Sequence, residues 1–151
     1  GGYLSKNQIS YARYLGCRKG FETCGLSFDP EQNYVACRYS MEAGYDTVKE
    51  LLRRNSDVTA IVALSDTIAF GAMRAIQDSG RRVPEDISVT GFDGIELAQF
   101  SIPRITTIKQ DTQHIATRSV ELLIKHIHYN LESEHDIAPH NLIEGESVRT
   151  L

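Results

Sequence analysis

Residues Thr59 to Leu64 read TAIVAL, six positions without a charge, and no other stretch limits the possible folds as much. A strand with one wet face alternates apolar and polar residues. An unbroken apolar run of this length instead marks a strand covered on both faces, as in parallel sheets packed between helices. Ser65-Asp66 ends the run. Thr67 to Ser79 then has helical spacing, with Ile68, Ala72, Ala75 and Ile76 on the inward face, and Gly80 stops it.

The same alternation continues on either side. Gln8 to Cys24 has a helical pattern in which Ala12, Gly16 and Gly20 recur every four residues, a small-residue stripe that would let the helix lie close to a sheet. Gly25 follows as its cap. Tyr34 to Arg38 reads as a short strand. Ser40 caps a second helix with Glu42 in its first turn and Gly44, Val48, Leu51 and Leu52 inward. Val83-Pro84 marks a turn, Ile87 to Thr90 a strand, Glu96 to Phe100 a short helix and Ile105 to Ile108 another strand. Thr112 to Tyr129 is a long helix with Ala116, Val120, Leu123 and Ile127 on one stripe. Leu131 to Asn141 is a polar linker, and Leu142 to Thr150 a weak last strand. Strand and helix in turn give an α/β fold, a Rossmann-like, mostly parallel sheet flanked by helices.

Composition excludes several functions. The net charge is -4 with no basic stripe, so this segment is not expected to bind nucleic acid directly. No apolar run approaches a membrane span. Cys17, Cys24 and Cys37 are odd in number and lack metal-ligand spacing, which favours free thiols in a reducing, cytoplasmic setting; Cys24 and Cys37 are expected in the core. His126, His128, His135 and His140 lie near one another in sequence, but no Cys or acid completes a metal pattern, and neither metal nor cofactor is expected. The chain carries no G-x-G-x-x-G after a strand, no P-loop and no G-x-S-x-G elbow, so an enzyme is not expected.

In open parallel sheets, ligands bind beyond the carboxyl ends of the strands. The residues to inspect are therefore Tyr39, Ser65 and Asp66, Phe92 and Asp93, and Lys109, Gln110 and Asp111. An aromatic face with acids and amides suits a hydroxyl-rich ligand such as a sugar. Bland readings stand beside this one. Asp93 before Gly94 fits a turn, Asp66 fits a helix cap, and Tyr39 fits a strand-end aromatic.

The stretch SDTIAFGAMRAIQDSGRRVPEDISVTGFD, followed by IPRITTIKQD, resembles the effector-binding core of the lactose-repressor family of bacterial transcriptional regulators. The matching pieces are Asp66, Ala69, Gly71-Ala72, Gly80, Val83 to Val89, Gly91-Phe92-Asp93 and Thr106-Thr107-Ile108. Gly20-Phe21 and Gly44-Tyr45 match more loosely.

The resemblance implies a periplasmic-binding-protein-like core in which two lobes close on an effector, a sugar or a purine-like molecule. It also implies a homodimer and an N-terminal headpiece, absent from this chain, that binds operator DNA. Residues 1–108 would form the C-terminal lobe without its first strand. Residues 109–141 would cross a hinge and carry a helix of the other lobe, and residues 142–151 would return as a strand. A sugar-binding protein of a transport system shares this fold and is the alternative.

Carried over residue by residue, the resemblance makes Asp93 the acid that accepts ligand hydroxyls. Ser65 and Gln110 become polar cleft residues, and Tyr39 an aromatic packed on the ligand. Phe70, Arg74, Phe100 and Ile102 would lie in the dimer interface. Members carry an effector-gripping Arg three residues before the Gly of the first helix. Counted from Gly20, that position is Cys17. Arg13, one turn earlier on the same face, is expected to reach the cleft instead; a solvated Arg is the alternative.

Overall fold

The computed structural model describes residues 1–5, 9–129 and 136–150. Element order is α1 (Ile9–Thr23), α2 (Pro30–Asn33), α3 (Met41–Arg54), β1 (Ala60–Val62), α4 (Asp66–Asp78), β2 (Ser88–Asp93), a 3₁₀ turn (Glu96–Gln99), β3 (Thr106–Gln110), α5 (Thr112–Tyr129) and β4 (His140–Ile143). The strands form one sheet in the order β1-β2-β3-β4. The first two pairings are parallel, with Ile61 opposite Val89 and Phe92 opposite Ile108. β4 runs antiparallel to β3, with Leu142 opposite Ile108.

Helix boundaries follow local chemistry. Ser40 Oγ accepts from the Ala43 amide at 3.1 Å and starts α3. Ser65 Oγ accepts from the Ile68 amide at 3.2 Å and starts α4. Gly80, at φ 79°, takes the left-handed conformation that a side chain resists. This lets Gly80 N and Arg81 N close on the last carbonyls of α4, Gln77 O and Ile76 O, at 2.9 and 3.2 Å. Gly25 ends α1 in the same way, through Leu26 N to Phe21 O.

The core lies where α3 and α4 pack on each other and α4 packs on β2. Ile68, Ala72, Ala75 and Ile76 are all buried, as are Val48 and Leu52 of α3 and Val89 and Ile105 on the sheet side. Cys37 joins this core, whereas Cys24, expected there, is exposed beyond the end of α1.

Four further expectations are corrected. The strand expected over Tyr34–Arg38 is extended chain outside the sheet. Its backbone bonds run to Gly1, from the Gly1 ammonium to Val35 O and from Cys37 N to Gly1 O. The run Thr59–Leu64 yields only a three-residue edge strand, β1, and Ala60 and Val62, which share one of its faces, are exposed. The stripe of Ala12, Gly16 and Gly20 faces solvent, and a Cβ on Gly16 or Gly20 would meet open space. α1 instead buries Ser10 and Tyr14, and Tyr14 and Phe21 pack edge-on against Phe28.

The last strand starts at His140, two residues early, and ends at Ile143; the linker residues 130–135 lie outside the described residues, as does His135. Beyond β4 the chain bonds to the starts of β2 and β3. Ser147, fully buried, donates its hydroxyl to Val89 O at 2.6 Å and accepts from Thr106 N at 2.9 Å, bridging β2 and β3. Ser147→Ala removes both bonds where water cannot replace them. We expect a loss of about 1–3 kcal/mol, read as a lower urea midpoint at unchanged slope.

Candidate functional site

The ends of β1, β2 and β3 deliver three groups to one rim. The Leu64 carbonyl follows β1, Asp93 ends β2 and Gln110 ends β3. Parallel pairing places these ends at the same edge of the sheet, and α1 lays Arg13 across them. Arg13 Nη1 donates to Leu64 O at 2.6 Å, and Nη2 donates to Asp93 Oδ1 at 2.7 Å. The guanidinium carbon sits 4.1 Å above the centre of the Phe92 ring, a cation–π stack. Gln110 Nε2 donates to the same Asp93 Oδ1 at 2.8 Å. One carboxylate oxygen thus takes two donors, one from α1 and one from the end of β3. The Arg13 side chain is 11% exposed and that of Asp93 31%, so the pair is shielded but reachable.

Tyr39 borders this cluster. Its ring packs on Gly2, where a Cβ would come within 2.6 Å of Cε2. Burial pushes its phenol up; Arg13 pulls it back and Asp93 adds to the rise, so the ring lies within electrostatic reach of both charges. With 41% of its surface exposed, Tyr39 presents an aromatic face at the rim.

Two predicted rim residues behave differently. Ser65 is buried, and its hydroxyl is engaged by the Ile68 amide and by Thr67 Oγ1 at 2.9 Å. It is the helix cap, the role first read for Asp66. Asp66 sends its oxygens to the sheet side, accepting from Thr107 Oγ1 at 2.6 Å and from the Ile95 amide at 2.8 Å.

Cys17 is half-buried. It lines a cavity of about 460 Å³ between α1, the Tyr34–Cys37 segment and the flank of β1, walled by Tyr14, Phe28, Val35, Ile61 and Leu64. Burial pushes its thiol up. The cavity is apolar and does not suit a hydroxyl-rich ligand. Counted from Gly16 instead of Gly20, Arg13 stands three residues before a helix glycine, the spacing that the resemblance expects of an effector-gripping Arg.

Sequence reasoning missed Phe92 as the platform under Arg13, and Asp66 and Thr107 as the support beneath the rim. Thr107 carried a signal in its buried strand position, but only its spatial partner gives it a role. Phe100 and Ile102 are 75% and 89% exposed, Phe70 is half-buried, and Arg74 pairs with Asp78 at 2.9 Å. Near the C-terminal part, His114 Nε2 and Arg118 Nε each lie 3.2 Å from Asp136 Oδ2. No group of three metal-ligating side chains occurs among the described residues.

The model of the periplasmic binding protein-like domain matches residues 2–148. The chain belongs to the periplasmic-binding-protein-like family. Its relatives include the HTH-type transcriptional regulator MalR of Clostridium butyricum, 38% identical over 139 residues that make up 92% of this chain and 41% of that protein. The HTH-type transcriptional repressor PurR of Pasteurella multocida is 34% identical over 150 residues, 99% of this chain and 44% of that one. The chain therefore spans about two-fifths of the length of the curated relatives it matches.

Among solved structures, the complex of the transcriptional regulator CelR with cellobiose superposes with a TM-score of 0.85 at 27% identity, covering 97% of this chain and 45% of that one. The lac repressor dimer bound to operator and the anti-inducer ONPF gives 0.80 at 29% identity, covering 91% and 47%. These relatives are named as transcriptional regulators and repressors. No helix among the described residues of this periplasmic-binding-protein-like domain is long and apolar enough to cross a membrane.

Proposed function

We propose that this domain is the effector-sensing part of a cytoplasmic bacterial transcriptional repressor and that it holds a sugar at the Arg13–Asp93–Gln110 rim. The observation that carries the reading is the convergence of Arg13 and Gln110 on one oxygen of Asp93. Two donors fix the carboxylate and the ring of Tyr39 flanks it, a combination suited to vicinal hydroxyls and the C–H face of a sugar ring. The cellobiose complex of the similar regulator supports the ligand class.

α5 fits a hinge-crossing helix of a second lobe. It directly follows Gln110 and Asp111, and Val120, Leu123 and Ile127 stand exposed on it. The exposed Phe100 and Ile102, with Phe70 and Arg74, would meet a second copy in a homodimer. Operator DNA would be bound by a headpiece outside this chain.

The test is a thermal-shift panel on the intact regulator with ribose, lactose, cellobiose and the nucleobases hypoxanthine and guanine. A ligand that binds the native state raises the melting temperature in proportion to its saturation. At least one sugar is expected to do so, and Asp93→Ala to remove the shift. A response to nucleobases alone would overturn the sugar assignment, and an equal response in Asp93→Ala would overturn the site.

A further inference from the structure

Beneath the rim lies a buried acid that no part of the ligand reading uses. Asp66 is fully buried, yet neither of its bonded oxygens caps its own helix, since Ser65 does that. Oδ1 accepts from Thr107 on β3, and Oδ2 accepts from the Ile95 amide just past β2. β2 makes room for the carboxylate at Gly91, where any Cβ would overlap Asp66 Oδ1. One side chain thus joins the start of α4, two strands and the turn that leaves the rim. Burial pushes its carboxyl up, and the bonds from Thr107 and Ile95 pull it back.

That turn needs a holder. Asp93 has φ 107°, a conformation that residues with a Cβ rarely adopt and that costs about 1–3 kcal/mol. Gly94 follows at φ 67° and is pressed against Lys109, where a Cβ would come within 2.4 Å of Cα. The Ile95 amide just past this turn is bonded to Asp66, whose carboxylate the Gly94 amide also reaches. At its other end, Asp66 is fixed by α4, whose Ile68, Ala69 and Ala72 are buried.

We infer that Asp66 is a positioning residue that, through its bond to the Ile95 amide, holds Asp93 in the pose that Arg13 and Gln110 engage. Its value for ligand binding rests on the effector reading above, but the pose itself does not. The Ile95 bond sets the pose, and the Thr107 bond serves stability alone.

The experiment uses the intact regulator with Asp66→Ala, Asp66→Asn and Thr107→Val. Ribose, lactose and cellobiose are titrated by calorimetry, and crystal structures are determined without ligand. All three variants lose stability. Asp66→Ala is expected to weaken binding of the sugar that the wild type takes by at least about tenfold. Asp66→Asn keeps an acceptor for the Ile95 amide and restores affinity to within about threefold, and Thr107→Val, which touches only the other oxygen, does the same.

In the unliganded Asp66→Ala crystal, Asp93 should leave the positive-φ region and its contact with Arg13 should open beyond about 4 Å. Should Asp66→Ala not fold, Asp66→Ser takes its place, since its hydroxyl is one atom too short to reach Ile95. An unchanged Arg13–Asp93 contact in that crystal overturns the inference. So does a Thr107→Val affinity as weak as that of Asp66→Ala, or an Asp66→Asn variant that restores nothing. A wild type that binds none of the three sugars bears against the effector reading, and the crystal comparison then still decides the role of Asp66.

Discussion

Gly71→Ala is expected to destabilise this domain by about 3 kcal/mol, the upper part of the range for overpacking a core, and to lower the urea midpoint accordingly. Gly71 lies on α4 where that helix crosses α3. A methyl group there would overlap the Met41 carbonyl oxygen and the Tyr45 amide nitrogen, both backbone atoms that cannot rotate aside. The crossing is tight from both sides, because a Cβ on Gly44 would come 2.6 Å from Ile68 O and 3.0 Å from Ile68 Cα. The helices must separate, and Val48, Ala72 and Ile76 then lose the close contacts on which their packing energy depends. Gly16→Ala is the matched control. It lies mid-helix in open space, so it should be neutral or stabilise by up to about 1 kcal/mol through helix propensity. Equal midpoints for the two variants would refute the tight crossing.

Arg13→Ala is expected to weaken effector binding by about ten- to a hundredfold, corresponding to the loss of one charge-assisted hydrogen bond of 1.5–3 kcal/mol. Arg13 orients Asp93 through the 2.7 Å ion pair and covers Phe92. Without it, Asp93 keeps only Gln110 among these two donors, and its charge faces the ligand without compensation. Exposure of the pair tempers the effect, because water partly screens a carboxylate that is 31% exposed. Cys17→Ala, by contrast, alters the apolar cavity under α1 and should leave affinity within about twofold while costing some stability. Calorimetric titration of the sugar found in the thermal-shift panel decides both. An Arg13→Ala variant that binds like the wild type would return Arg13 to the status of a packing residue.

Much of the fold was legible because its signals are local. The cap at Ser40, the stop at Gly80 and the inward stripe of α4 each depend on residues within one or two turns. The errors arose where burial is decided by distant neighbours. The stripe of Ala12, Gly16 and Gly20 has the right spacing for close packing, but α1 meets its neighbours through Tyr14 instead. TAIVAL is apolar throughout, but whether both faces of β1 are covered depends on the neighbouring chain, which its own residues cannot specify.

The rim shows the same division. Sheet topology made Asp93 and Gln110 candidates, since the ends of parallel strands must share an edge. Arg13 needed a spatial argument, because eighty positions separate it from Asp93.

The alternation of α3, α4 and α5 with β1, β2 and β3, the start of α3, the stop of α4 and the candidate acid at the close of β2 were determined by sequence alone, since periodicity and capping act over a few residues. The tertiary structure decided which side chains meet. It sent Asp66 to the sheet and brought Arg13 onto Asp93. Such pairings depend on packing between elements far apart in the chain, and no local pattern encodes them.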